Sequence, residues 1–305
     1  MRKNHKFLAV LALVLAVLPV ALYNAWLVDV AVRVLIAAGV AISLNLLMGY
    51  TGQVSLGHAA FYAIGAYGSA ILTTRFGWPP FAALATTAFA AAMIALVISR
   101  PIFMLRGHYL AMATLGLGAL VNVVLNTETA WTGGPDGMSV PALSLFGWSV
   151  ERPMAWYAVA AVLLLLVSAG AIHLVTSPFG RAMQAIHGSE VAARSSGIDV
   201  GATKTKVFVL SAFLTSLLGS ISAHYLGFVT PGVAGVLHSI EMVTMVVIGG
   251  MASIGGSIVG AVVVVLLPEL LSKLEGIETI VFGAILVGGM ILVPRGIVPS
   301  LRRRS

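Results

Sequence analysis

The sequence predicts an all-α protein that crosses a membrane many times. Three observations carry this. Of 305 residues, 59% are hydrophobic and only 9% are charged, whereas charged residues make up about a quarter of an ordinary soluble domain. Mean hydropathy is +1.05. The apolar residues fall into about ten runs bounded by glycine, proline or charge, several of them shorter than the ~20 residues that span a full hydrocarbon core. The whole is expected to be one transmembrane domain, residues 1–305, in two weakly related halves, with residues 177–206 as its only long polar interval. The net charge of +7 does not point to nucleic acid, because the basic residues flank apolar runs and so report topology and contact with the lipid bilayer. Cysteine is absent, which excludes disulfides and thiolate metal sites.

In chain order, Arg2, Lys3, His5 and Lys6 precede an apolar run over residues 7–28. The run suits a first span better than a signal peptide, being long for one and followed by no A-x-A cleavage site. Asp29 and Arg33 are expected in an outer loop. Further segments are expected over about 34–49, 56–74, 79–99, 108–126, 154–176, 207–228, 239–252, 254–270 and 278–293. With the N-terminus inside, Arg2, Lys3, Lys6, Arg100, Arg106, Arg181, Arg194, Lys204, Lys206, Arg295 and Arg302 to Arg304 fall on the cytoplasmic side. Arg33, Arg75, Arg152 and Lys273 fall outside. That bias satisfies the positive-inside rule and makes both termini cytoplasmic. All five tryptophans, at 26, 78, 131, 148 and 156, are expected at the outer interface. The outer interval 127–152 is punctuated by glycine and proline and is expected to be irregular, either a connector or a surface that receives a partner.

Residues 177–206 carry helix signals. Ser177 and Pro178 suit an N-cap and first helical position, Ser189 and Glu190 offer a second start, and Gly197 a stop. Two short helices broken near Gly188 are expected, with Ala182, Ala185, Ile186, Ala192 and Ala193 on a small apolar face and Arg181, Gln184, His187, Glu190 and Arg194 opposite. Such a pair suits docking into a partner's groove.

Two Gly/Ser-rich breaks echo each other, MGYTGQVSLGHAAFYAIGAY and IGGMASIGGSIVGAVVVV, relating segments two to five to segments seven to ten. Interrupted helices at matching places in two halves point to a translocation path. The residues expected at these breaks or on that path are Gly52, Gln53, Ser55, Gly57 and His58 in the first and Gly250, Ser253 and Gly255 in the second. GMASIGGS has the glycine spacing of a phosphate-binding loop, yet Gly256 stands where the lysine belongs and no soluble strand precedes it. Helix break and close packing explain the glycines better, as they do Gly57, Gly65 and Gly68. Ser55 and His58 invite an intramembrane hydrolase, but no acid lies nearby to orient the imidazole, so a hydrogen-bonded helix break is expected. Asn45, Gln53 and Asn122 are expected to bond across helices or line a polar passage. Only Glu241 and Glu269 touch expected spans, both near an outer end, so ion coupling is not indicated. His173, His224 and His238 lack metal-ligand spacing.

FGRAMQAI, Glu190, VAARSSGIDV and KTKVFVLSAF, with GYTGQVSLGHAAFYAIGAY, resemble the two signature blocks of ABC importer permease subunits of the branched-chain amino acid (LivH/LivM) family, closer to the LivM type. The likeness runs over about residues 35–294, departing where His187 and Gly188 replace an Arg-rich turn. The resemblance implies import of leucine, isoleucine and valine, or of urea or short amides, through the inner membrane. It implies assembly with a second permease subunit, two cytoplasmic ABC ATPases that bind the ATP, and an external substrate-binding protein. No cofactor of its own is implied. It assigns coupling to the ATPases to Gly180, Arg181, Ala185, Ile186, Glu190, Ala192, Ala193, Arg194, Gly197 and Ile198. A stand-alone channel or ion-coupled carrier is the other class in view.

Overall fold

A computed structural model describes residues 2–21, 24–103, 105, 107–145, 148–150, 152–271, 283–284 and 296–302. The bundle is organised around one helix. Apolar runs give α1 (Arg2–Ala21), α2 (Ala25–Thr51), α3 (His58–Phe76), α4 (Pro80–Phe103), α5 (His108–Thr127) and α7 (Pro153–Thr176), with the single turn α6 (Thr129–Thr132) before α7. Two short helices, α8 (Pro178–Gly188) and α9 (Glu190–Ser195), then lead into α10 (Val200–Leu226), α11 (Val236–Gly249) and α12 (Ile254–Leu271). Six of these are long and apolar enough to cross a membrane. Apart from residues 283–284, the expected segment over 278–293 lies outside the described residues, as does Lys273.

Every residue of α2 from Ala38 to Thr51 is buried, which marks a helix enclosed on all sides. It packs on α7, α8, α10, α11 and α12. Small residues set the spacing between helices, as membrane packing requires where lipid is no less apolar than leucine. A Cβ at Gly65 of α3 would lie 1.9 Å from the Ser216 carbonyl of α10, and one at Gly219 of α10 would lie 2.2 Å from that of Tyr62. The same two helices share hydrogen bonds at Ser220 Oγ to the Gly65 carbonyl, 2.8 Å, and between Ser69 Oγ and His224 Nε2, 2.7 Å. Apolar side chains such as Phe89, Val97, Met112 and Leu120 of α4 and α5 remain exposed, as a lipid-facing belt would be.

Segments expected on the same side gather at the same end of the bundle. At one end α8 lies against the C-terminus of α2, and Gly296 against Gly250. At the other, Phe76 stacks on Trp131 with centroids 6.1 Å apart. There β1 (Met138–Ser139) also pairs with β4 (Phe228–Val229), antiparallel.

Five expectations need correction. The apolar run over 7–28 is two helices, because Asn24 caps α2 by accepting the Trp26 N–H at 3.2 Å. Asp29 and Arg33 therefore lie within α2, not in a loop. They are tolerated there because Arg33 pairs with Asp29 at 2.6 Å and with Glu269 at 2.7 Å, while Tyr225 donates to Asp29 at 2.5 Å. α10 starts at Val200, seven residues before the expected 207, since Asp199 caps it by accepting the Ala202 N–H at 2.9 Å. The interval 127–152 is partly ordered: Thr132 donates to the Leu125 carbonyl at 2.7 Å, and β2 (Ser144–Leu145) pairs with β3 (Trp148–Ser149). Trp156 is only 5% exposed, packed edge-on against Tyr225, whereas Trp26, Trp78 and Trp131 are exposed.

Candidate functional site

Local signals build α8 and α9. Ser177 Oγ accepts the Gly180 N–H at 3.2 Å, Pro178 takes the first helical position, and Ser189 Oγ accepts the Ala192 N–H at 3.3 Å. Gly180 is required at the tight junction with α7, where a Cβ would meet the Val175 carbonyl at 2.1 Å. Gly197 ends α9 with φ of 79°.

The expected apolar face divides. Ile186 and Ala193 turn inward with Val200 and Ile198 to form a small core beneath the pair, and Met183 joins the main core. Ala185 and Ala192 point outward with Arg181, Gln184, His187, Arg194 and Gly197, while Ala182 and Ile198 are half-buried. Consecutive residues sit about 100° apart on a helix, so Ala185 and Ile186, or Ala192 and Ala193, cannot share a narrow face. Ile186 and Ala193 are thus unavailable to a partner. Val191, 73% exposed, joins the outward surface. Its place there depends on the register of α9, which only packing defines. Glu190 is also turned from the outward set, because it forms an ion pair with Lys204 of α10.

The first helix break follows Gly52, whose φ of 72° closes α2 by returning its N–H to the Leu47 and Met48 carbonyls. A Cβ there would stand 3.1 Å from His187 Nδ1, so the break touches α8 directly. Gln53 Nε2 donates to Thr51 Oγ1 at 2.8 Å, and its Oε1 is buried without a partner among the described residues. The Leu56 N–H donates to Thr114 Oγ1 of α5 at 3.0 Å, and Gly57 abuts the Thr114 carbonyl. Ser55 Oγ and His58 Nδ1 share a hydrogen bond of 2.9 Å, and His58 Nε2 and Ser211 Oγ one of 2.7 Å. Ser211 in turn donates to the Ser43 carbonyl at 2.7 Å. Both ring nitrogens thus meet serine hydroxyls where a hydrolase would present a carboxylate to one of them. This buried chain ties the start of α3 to α10 and α2.

The second break is held by Asn45, 1% exposed. Its Nδ2 donates to Ser257 Oγ at 2.7 Å and to the Ser253 carbonyl at 3.0 Å, and its Oδ1 accepts the Ala252 N–H at 2.9 Å. Ala252 sits at φ 57°, a conformation an alanine adopts only when its surroundings impose it. Gly250 ends α11, Ser253 Oγ caps α12 by accepting the Gly256 N–H at 3.0 Å, and Gly255 lies against the Phe7 ring. Gly249, Gly256 and Gly260 bring α11 and α12 into backbone contact, which accounts for GMASIGGS as packing. Ser43 and Asn45 are two residues apart, about 200° around α2. The central helix therefore stands between the two breaks, holding one on each side.

Over residues 26–294 the sequence matches the family described as branched-chain amino acid transport system / permease component. It is 32% identical over 323 residues, covering 98% of this chain and 76% of the relative, to the high-affinity branched-chain amino acid transport system permease protein LivM of Escherichia coli K12. The chain belongs to this permease family. The LivM of Salmonella typhimurium is also 32% identical, over 90% of this chain and 70% of its own. The ribose import permease protein RbsC of Haemophilus influenzae is 31% identical over only 47% of the chain and 41% of its own. No solved structure gives a significant match.

In this permease the residues the sequence singled out thus form two groups, the breaks on either side of α2 and the α8–α9 pair below them, joined where Gly52 meets His187. Asn45 and Asn122 bond across helices as expected, the latter donating to the Pro231 carbonyl at 2.8 Å. His224 is shared between Ser69 and the Pro141 carbonyl, and His238 faces Glu241. Among the described residues, no three histidine, aspartate or glutamate side chains cluster as metal ligands.

Proposed function

We propose that this permease is the membrane subunit of an ATP-driven importer of branched-chain amino acids in the bacterial inner membrane. The observation that carries this reading is the α8–α9 pair. It offers a polar, partly basic outer face around the exposed Val191, while its inner face is packed into the bundle through Met183, Ile186 and Ala193. Such a surface suits a partner that pushes, because force applied to it reaches α2 and α10 through packed side chains. The substrate class comes from the LivM relatives, matched over most of the chain.

In this reading the α8–α9 end and both termini face the cytoplasm, where Arg100, Arg181, Arg194 and Lys206 satisfy the positive-inside rule. Two ATPases bind ATP, and one of them docks on Arg181, Ala185, Val191, Ala192 and Arg194 of this chain. A second permease completes the passage, and an external binding protein delivers the amino acid. The chain itself performs no catalysis and needs no cofactor. Closure of the ATPases moves α8 and α9, and the two breaks let the short helix ends beside α2 shift while the long spans stay intact.

The test is reconstitution in vesicles, measuring labelled leucine and labelled urea. Uptake of leucine that requires ATPases, ATP and the binding protein is expected. Preference for urea would move the substrate to the amide class, and equal uptake by the permease alone would replace the importer with a channel or carrier.

A further inference from the structure

Besides the packing of α8 through Met183 and Ile186, α9 is tied to α10 by one half-buried ion pair. Lys204, in the second turn of α10, is only 8% exposed, and its Nζ meets Glu190 Oε1 at the first position of α9. An ammonium so enclosed is costly unless paired, and Glu190 supplies the opposite charge. The rest of α9 offers little other hold: Ala193 alone of its residues is buried, within a small cluster of Ile186, Val200 and Ile198. Beyond Lys204, α10 carries a file of buried polar side chains. Ser211 bonds His58, Thr215 bonds Ser43 at 2.7 Å, Ser220 bonds the Gly65 carbonyl and His224 bonds Ser69. The file fixes α10 to α3 along most of its length and to α2 at one point, so a displacement of α10 carries the first break with it.

Resting on the importer reading above, we propose that Lys204 and Glu190 are the positioning residues that convert movement of α9 into movement of α10 and α3. The contact of Gly52 with the His187 ring and Cα, with Met183 in the main core, joins α8 to α2 by van der Waals packing alone. The ion pair adds a charge attraction that resists withdrawal of α9 from α10, which packing alone resists less.

The experiment compares wild type, Glu190→Gln, Lys204→Met and the exchanged double variant Glu190→Lys/Lys204→Glu in vesicles containing the complete complex. It records labelled leucine uptake, ATP hydrolysis and the amount of ATPase co-purified with each permease. Each single variant is expected to retain its ATPases and hydrolyse ATP while leucine imported per ATP falls about tenfold, within the usual range of intersite coupling. The exchanged variant is expected to recover most of that ratio. An unchanged ratio in Glu190→Gln, the milder variant, overturns the proposal. So does a parallel loss of bound ATPase and uptake in the singles, since the pair would then only shape the docking surface. A double variant no better than the singles also overturns it. Failure of the wild-type complex to import leucine with ATP would instead count against the importer reading.

Discussion

Replacing Asn45 with alanine tests whether α2 holds the second break. The change removes two donor contacts, to Ser257 Oγ at 2.7 Å and the Ser253 carbonyl at 3.0 Å, and the acceptor of the Ala252 N–H at 2.9 Å. A fourth contact, to the Gly250 carbonyl at 3.4 Å, is too long to count for much. Three bonds at about 1 kcal/mol each give a loss of about 3 kcal/mol. The lower average measured between membrane helices gives about 2 kcal/mol. The upper figure is favoured here, because the Ala252 N–H loses its partner while its backbone stays at φ 57°. Denaturant titration in mixed micelles measures the difference. As a companion, Ala252→Gly removes the left-handed penalty and is expected to gain up to about 1 kcal/mol. An Asn45→Ala variant within about 0.5 kcal/mol of wild type would refute the claim that this side chain imposes the break.

Glycine at two helical positions should respond oppositely. Gly65→Ala drives a methyl group to 1.9 Å from the Ser216 carbonyl and is expected to cost at least about 2 kcal/mol and lower the yield of folded protein. Gly116→Ala enters open space and is expected to be neutral or to gain up to about 1 kcal/mol from helix propensity, on the same titration. Ser55→Ala should leave leucine uptake within about twofold of wild type, since the hydroxyl is engaged in holding His58; abolished uptake with normal stability would point to a chemical role. Arg33→Gln should cost about 1 kcal/mol, the small figure reflecting a partly exposed network, and the loss should shrink at high salt in the same micelles.

Where the sequence carried a local signal, the structure follows it. Ser177, Pro178, Ser189 and Gly197 mark the boundaries of α8 and α9 because caps and left-handed stops depend on only a few neighbouring residues. The two breaks were legible for the same reason. The boundary between α1 and α2 was not, because an unbroken apolar run conceals it and only Asn24 marks it. Asp29 and Arg33 read as a loop because the groups that make them tolerable, Glu269 and Tyr225, lie on distant helices. The early start of α10 was hidden similarly: Lys204 and Lys206 look solvent-exposed in sequence, yet one is buried against Glu190 and the other exposed. The faces of α8 and α9 were least legible of all. With small residues on every side, their orientation is decided by the pocket that Val200 and Ile198 form beneath them.

ATP-driven import by this permease requires α8 and α9 to be presented to the cytoplasm for another protein to grip. The chain has no cysteine of its own, so a single one introduced at Val191, 73% exposed, gives an unambiguous reporter. A membrane-impermeant maleimide should label it in inside-out vesicles and not in intact cells, and bound ATPase should protect it. Labelling from the outside, or from neither side, would contradict the account.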